Sequence, residues 1–285
     1  MTLAELIENA AARLGQADLY YGHGTDNAWD EAVWLVLHAL GRSPAEPIED
    51  ADIVLSEDQQ QAAFDWLQRR IDTRKPTAYL TGQAWFCGLP FEVTEDTLIP
   101  RSPIAELIQQ QFSPWLPRPP QRVLDLCTGG GCIAIACAYA FPDAQVVGTD
   151  ISEAALAVAR RNVAAHQLQG RVQCLSSDVF SNVEGCFDLI VSNPPYVDAE
   201  DMAALPAEYR HEPELALASE RDGLGITRRI LADVGNYLSD DGVLVLEVGN
   251  SETALVEAYP DLPFTWLEFE WGGHGVFCLQ KSDLI

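Results

Sequence analysis

Leu3, Leu6, Ile7, Ala10, Ala11 and Leu14 recur at the spacing of one helical face, so the chain opens with an amphipathic helix. A loop bearing Gly22 and Gly24 separates it from a second helix over 29–40, which Gly41 and Pro44 end. Ser56 and Gln59 form a capping box for a third helix carrying Phe64, Trp66, Leu67 and Ile71, and Pro76 stops it. Alternating apolar residues and glycines over 77–100 predict a hairpin or short strands. Pro114, Pro117, Pro119 and Pro120 then break the pattern and mark entry into a second region. There, apolar strand cores alternate with helices: strands over 122–126, 145–150, 172–176, 187–192 and 242–248, helices over 132–140, 152–166 and 227–238. Such alternation predicts a doubly wound α/β fold with a mostly parallel sheet. Residues 264–270 and 275–280 read as a closing antiparallel hairpin.

Composition narrows this. The 285 residues are 48% apolar, too many for a disordered chain, and no apolar run reaches the length of a membrane span. The first fourteen residues carry Glu5 and Glu8 without a basic flank, unlike a secretory leader, so a cytoplasmic location is expected. Forty-three acidic against 17 basic side chains give a formal charge of −26, spread along the chain. Such a surface repels phosphate backbones, and the basic residues occur only as short pairs such as Arg160-Arg161 and Arg228-Arg229. A basic protein partner fits better than nucleic acid; solubility alone would also account for the acidity. Seven cysteines without a CxxC argue against a zinc site or a disulfide framework. Cys127, Cys132, Cys137, Cys174 and Cys186 all sit in apolar sequence surroundings and are expected to be reduced and mostly buried.

The first strand of the second region runs into Asp125-Leu126-Cys127-Thr128-Gly129-Gly130-Gly131, a glycine turn opening a helix. Glycines let a ligand approach the amides of a helix terminus. Gly129-x-Gly131-x-x-Ala134 satisfies a dinucleotide pattern, and Asp150, at the end of the next strand, is placed to accept both hydroxyls of a ribose. This much suits a nicotinamide enzyme as well as a methyltransferase. Asp125, just before the turn, suits a ligand's positive group better than a pyrophosphate. Asp178 and Val179, closing the third strand, offer an acceptor and an amide to an adenine. Each aspartate has an ordinary alternative as a helix cap or solvated turn.

Asn193-Pro194-Pro195-Tyr196 follows the strand 187–192 directly. Two prolines cannot continue a sheet, so the chain turns at the carboxyl end of the strand, the edge where such sheets bind ligands. The quartet suits a planar nitrogen whose lone pair is delocalised. The Asn193 side-chain oxygen and the Pro194 carbonyl can accept its two hydrogens, and Tyr196 offers a face for stacking. Held so, the nitrogen can rehybridise with its lone pair aimed at a methyl group, and positioning is the main catalytic device. An amide and the exocyclic amine of a nucleic-acid base both meet this description.

Asp125 to Gly131, Asp150, Asp178 and Asn193 to Tyr196 together resemble the class I methyltransferases that use S-adenosyl-L-methionine. Ala78-Tyr79-Leu80-Thr81-Gly82, Trp85-Phe86-Cys87-Gly88 and Leu98-Ile99-Pro100-Arg101 further resemble the connector of the bacterial protein-glutamine N5-methyltransferases, and the likeness covers nearly the whole chain. It implies a Rossmann-like class I methyltransferase fold behind a small N-terminal helical domain: 1–75 helical and substrate-holding, 76–120 connector and linker, 121–285 catalytic. It implies cofactor binding by Asp125, Cys127, Thr128, Gly129, Gly131, Asp150, Ile151, Asp178, Val179 and Asn193, with S-adenosyl-L-homocysteine as product and no metal. Asn193, Pro194, Pro195 and Tyr196 would bind substrate, with Asn193, Pro194 and Tyr196 catalytic. Release-factor methyltransferases of this family usually continue Pro-Arg with Pro-(Asp/Glu)-Thr-Glu; here Ser102-Pro103-Ile104 follows. The stretches 20–27, 29–32, 209–215 and 247–251 resemble instead the branch that methylates a glutamine in the third protein of the large ribosomal subunit, a basic partner. A methyltransferase fold serving as an assembly chaperone without chemistry is the competing reading from another class.

Overall fold

The computed structural model describes residues 1–219 and 222–284; position 285, the last of the expected catalytic region, lies outside them. Elements run α1 (Leu3–Gly15), α2 (Ala28–Ala39), α3 (Glu57–Thr73), α4 (Thr77–Thr81), β1 (Gln83–Phe86), β2 (Leu89–Glu92), α5 (Ile104–Gln109), β3 (Arg122–Leu126), α6 (Cys132–Ala140) and β4 (Gln145–Asp150). They continue as α7 (Glu153–Ala165), β5 (Val172–Ser176), β6 (Phe187–Ser192), α8 (Ala199–Ala204), α9 (Glu214–Leu217), α10 (Gly225–Asp233), β7 (Leu238–Glu247), α11 (Glu252–Ala258), β8 (Thr265–Trp266) and β9 (Val276–Gln280). Two compact units result: Met1–Ala84 with Pro206–His211, and Trp85–Leu205 with Glu212–Ile285.

In the first unit, Leu3, Leu6, Ile7 and Leu14 of α1 bury against Leu35 and Val36 of α2 and Ala63 and Leu67 of α3. Capping boxes at Thr2/Glu5 and Ser56/Gln59 start α1 and α3. A charged centre also forms. Arg70, 1% exposed, donates to Glu31 (2.6 Å) and to the Tyr20 carbonyl (3.1 Å). Glu208, fully buried, accepts from the Tyr20 amide (3.0 Å) and pairs with Arg74 (2.9 Å). Tyr209 lies with its ring centroid 4.5 Å from His23 and 5.6 Å from Tyr20. His211 donates to the Thr73 carbonyl (3.1 Å), a loop histidine with a backbone partner.

In the second unit, a seven-stranded sheet has the order β5-β4-β3-β6-β7-β9-β8, parallel from β5 to β7 and antiparallel where β9 joins. Alternate strand residues feed two cores. Val123, Leu189, Val191, Val243 and Val245 pack with α5, α6 and α7 on one face; Leu124, Leu126, Ile190, Leu244 and Leu246 pack with α10 and α11 on the other. Burial on both faces is why these strands read as continuous apolar runs.

Three local readings need correction. Residues 77–81 are helical: Pro76 stops α3 but its fixed φ of −50° also starts the next turn, which Gly82 closes at φ 71°. The helix expected over 227–238 is α10, ending at Asp233; a 3-10 turn follows and β7 begins at Leu238, paired with Phe187, its polar start Ser239-Asp240-Asp241 hiding the strand. Cys186 is exposed, because it lies at the surface entrance to β6 where its apolar sequence neighbours turn inward.

Candidate active site

The register of the central strands decides which loops meet. β3 pairs with β6 so that Leu126 stands opposite Ser192, and the Ser192 hydroxyl donates to the Leu126 carbonyl (2.7 Å). The glycine turn and the proline turn therefore leave the sheet side by side, and both border an open cleft. Cys127, Gly129, Asp150, Ile151, Asp178, Val179, Asn193 and Pro195 line it, eight of the residues singled out from sequence. Pro194, between Asn193 and Pro195, is buried.

Asp125, Thr128 and Gly131 stand behind the wall. Asp125, fully buried, accepts from the Thr128 hydroxyl (2.5 Å) and the Ala134 amide (3.0 Å) through Oδ2, while Oδ1 has no hydrogen-bond partner. Burial raises its carboxyl to about 7; the Thr128 and Ala134 bonds oppose that rise and the charge of Asp150 adds to it. Gly131, at φ 82°, caps α6; a Cβ there would come 3.2 Å from that of Ala159, so this glycine serves close packing of α6 on α7. Gly129, at φ 53°, would meet nothing within 4 Å, leaving its backbone open to a ligand.

Asp150 receives the Gly129 amide (2.9 Å) on Oδ2 and the Ser152 amide (2.9 Å) on Oδ1. Burial raises its pKa against these bonds. The carboxylate is thus fixed in orientation and retains acceptor lone pairs. Asp178 lines the cleft and has a neighbour that sequence did not show: Arg229 pairs with its Oδ2 (2.8 Å), and that contact holds its carboxyl below the ordinary range. Cys127 and Val179, neither a glycine, adopt φ 59° and 52° at the cleft, strained backbone for a β-branched valine.

Residues far along the chain complete the site. Thr97, Leu98, Pro213, Leu215 and Ala216 form walls that spacing alone did not reveal. Arg101 grips Glu212 with two bonds (2.6 and 2.7 Å), drawing the segment 98–101 to Glu212 and Pro213. Asn162 donates to the carbonyls of Gly130 (2.9 Å) and Glu92 (3.0 Å), tying β2 to the glycine turn. The Tyr196 hydroxyl donates to Glu247 (2.8 Å), whose other oxygen takes the Ser102 hydroxyl (2.5 Å). The Tyr196 ring rests on Gly249, where a Cβ would come within 2.5 Å of it.

The donor set suits a ligand with a flat apolar part, a diol and a cationic end. Ile151 and Leu215 are 56% and 59% exposed yet line the cleft, offering apolar walls in want of a cover. Asp150 presents an oriented carboxylate, and Asp125 holds an unmatched buried oxygen beneath the glycine turn. Among the described residues, no group of three or more His, Cys, Asp or Glu is placed to hold a metal ion.

Residues 107–208 match the methyltransferase small domain and residues 5–82 the PrmC N-terminal domain. With the sheet order and the two turns at its edge, these matches define a methyltransferase carrying a PrmC-type helical N-terminus. Two full-length relatives share nearly the whole chain. The ribosomal protein uL3 glutamine methyltransferase of Francisella tularensis is 46% identical over 100% of this chain and 91% of its own length. That of Bordetella pertussis is 47% identical over 99% and 96%. The chain belongs to the family of ribosomal protein uL3 glutamine methyltransferases. Its fold is shared by a methyltransferase from Pyrococcus furiosus, with a TM-score of 0.52 and 23% identity over 75% of this chain and 97% of that one.

Proposed function

We propose that this methyltransferase transfers a methyl group from S-adenosyl-L-methionine to the side-chain amide nitrogen of a glutamine in the large-subunit ribosomal protein uL3. The pairing of Leu126 with Ser192 carries the reading, because it sets Asn193 beside the Gly129 turn, on a cleft that Asp150 also lines. When bound, S-adenosyl-L-methionine supplies an electrophilic methyl group on a sulfonium.

The chain's own residues do the rest. Asp150 accepts the ribose hydroxyls, its orientation locked by two amides. Ile151, Val179 and Leu215 cover the base, and Asp178 shares its carboxylate between Arg229 and the base's amino group. The Asp125 carboxyl, with its unmatched oxygen, lies under the methionine end. Asn193 and the Pro194 carbonyl accept the two amide hydrogens of the substrate glutamine, and the Tyr196 ring, backed by Gly249, stacks on its plane. These acceptors strengthen their hold as the nitrogen gains positive charge. No base is needed before transfer; the cationic amide sheds its proton to water afterwards.

The N-terminal unit would hold the protein substrate in the cytoplasm before ribosome assembly, and the −26 charge would attract that basic partner. No described helix is long and apolar enough to cross a membrane. The test is to incubate the protein with labelled S-adenosylmethionine and, separately, purified uL3, a peptide-chain release factor and rRNA. Label on a glutamine of uL3 is expected. Label confined to the release factor or the RNA would overturn the substrate assignment.

A further inference from the structure

Trp271 is 71% exposed, in a turn built to keep it there. The turn is held from three sides. Glu106, only 8% exposed, accepts the amides of Glu270 (2.9 Å) and Trp271 (3.4 Å). Gly273, at φ 104°, sits so close to Pro103 that a Cβ would come within 2.7 Å of its ring. Gly275, at φ 69°, lies over Gly249, and its carbonyl takes the Val248 amide (2.7 Å). His274 adds a bond to Asn250 (3.0 Å). A loop whose purpose was only to join β8 to β9 would have no use for a buried carboxylate and two glycines pressed against other segments.

Gly249 links this turn to the reacting centre, because the Tyr196 ring rests on the same residue that supports Gly275. Trp271 is not among the residues lining the cleft, so its indole is not committed to the cofactor. We propose that the 271–275 turn is a docking element for the protein substrate, with the Trp271 indole anchoring the segment beside the target glutamine. This rests on the function proposed above. Glu268 and Glu270, both exposed, precede Trp271 in the chain, so the segment it takes is basic and carries an apolar or aliphatic surface, such as a lysine or arginine stem laid across the ring. Fixing the backbone of the turn before binding lowers the ordering cost of presenting the tryptophan, which favours one aromatic as an anchor.

Steady-state kinetics with purified uL3 and labelled S-adenosylmethionine test this. Trp271→Ala should raise KM for uL3 by about 30-fold, the loss expected of one anchoring aromatic. Its kcat should stay within about twofold, because the residues touching the glutamine amide are unchanged. Affinity for S-adenosylmethionine, measured by calorimetry, and the melting temperature should match the wild type, and Trp271→Phe should recover most of the KM. Labelled uL3 with an unchanged KM for Trp271→Ala overturns the docking role alone. A parallel loss of cofactor affinity also overturns it, by placing the indole in the cofactor site. Wild-type protein that leaves uL3 unlabelled overturns the functional reading and this proposal with it.

Discussion

Tyr196 and Glu247 are joined by a 2.8 Å hydrogen bond between the loop after β6 and the last residue of β7. Glu247 is 4% exposed and burial raises its pKa against the Ser102 and Tyr196 bonds, so its hold on the tyrosine is shielded from water. If this bond fixes the ring over the substrate amide, Tyr196→Phe and Glu247→Leu should each slow turnover roughly tenfold, the size of one net hydrogen bond. The double variant should be no slower than the worse single one. Fully additive losses in that cycle would mean the two residues act separately.

Asn193→Ala removes one of the two proposed acceptors for the amide hydrogens. A loss of roughly 10²–10³ in kcat is expected, as for deleting one bond that strengthens in the transition state. Single-turnover measurement with bound uL3 isolates the step; near-normal turnover would remove Asn193 from the orienting role.

Asp150 faces the cleft with a carboxylate held by the Gly129 and Ser152 amides. Asp150→Ala should weaken S-adenosylmethionine binding by about 1–3 kcal/mol. Calorimetry showing wild-type affinity would take Asp150 out of the cofactor site.

The buried Asp125 makes stability depend on pH. Its folded pKa, raised by burial to about 7, exceeds the ordinary 3.8, so the folded state holds this proton more tightly than the unfolded chain. The stabilisation is complete below the unfolded value and is lost as pH rises through the folded one. Urea unfolding of cofactor-free protein from about pH 5 to about pH 8 should therefore show wild type losing stability relative to Asp125→Asn. Parallel curves for the two proteins would show that the carboxyl does not titrate in this range.

If the net charge of −26 draws in a basic protein, association should depend on salt. The on-rate for uL3 should fall at least about tenfold between roughly 20 and 300 mM sodium chloride. A flat on-rate in stopped-flow would leave the acidity as a matter of solubility.

Much of this molecule is written in short stretches of chain. The α/β alternation, the glycine turn after β3 and the proline turn after β6 are legible because helix and strand periodicity, capping and turn chemistry act over a few residues. Asn193 to Tyr196 is legible for the same reason: two prolines after an apolar strand force the chain out of the sheet. What the sequence by itself determined, then, is the set of local elements and the chemistry displayed at their ends.

Tertiary structure alone decided which of those ends meet. That β6 lies beside β3, setting Asn193 next to Gly129, depends on how seven strands best bury two faces, and no single strand carries that information. Sequence places Asp125 just before the glycine turn; only the fold shows that it is fully buried, with one oxygen accepting from the Thr128 hydroxyl and the Ala134 amide. That Asp178 shares its carboxylate with Arg229 is decided by the packing of α10. Glu247 reached Tyr196, and Tyr209 reached His23, across intervening helices and strands whose paths only packing could choose. Burial and pairing are properties of neighbours, and distant neighbours are set by the energy of the whole fold rather than by the residues on either side.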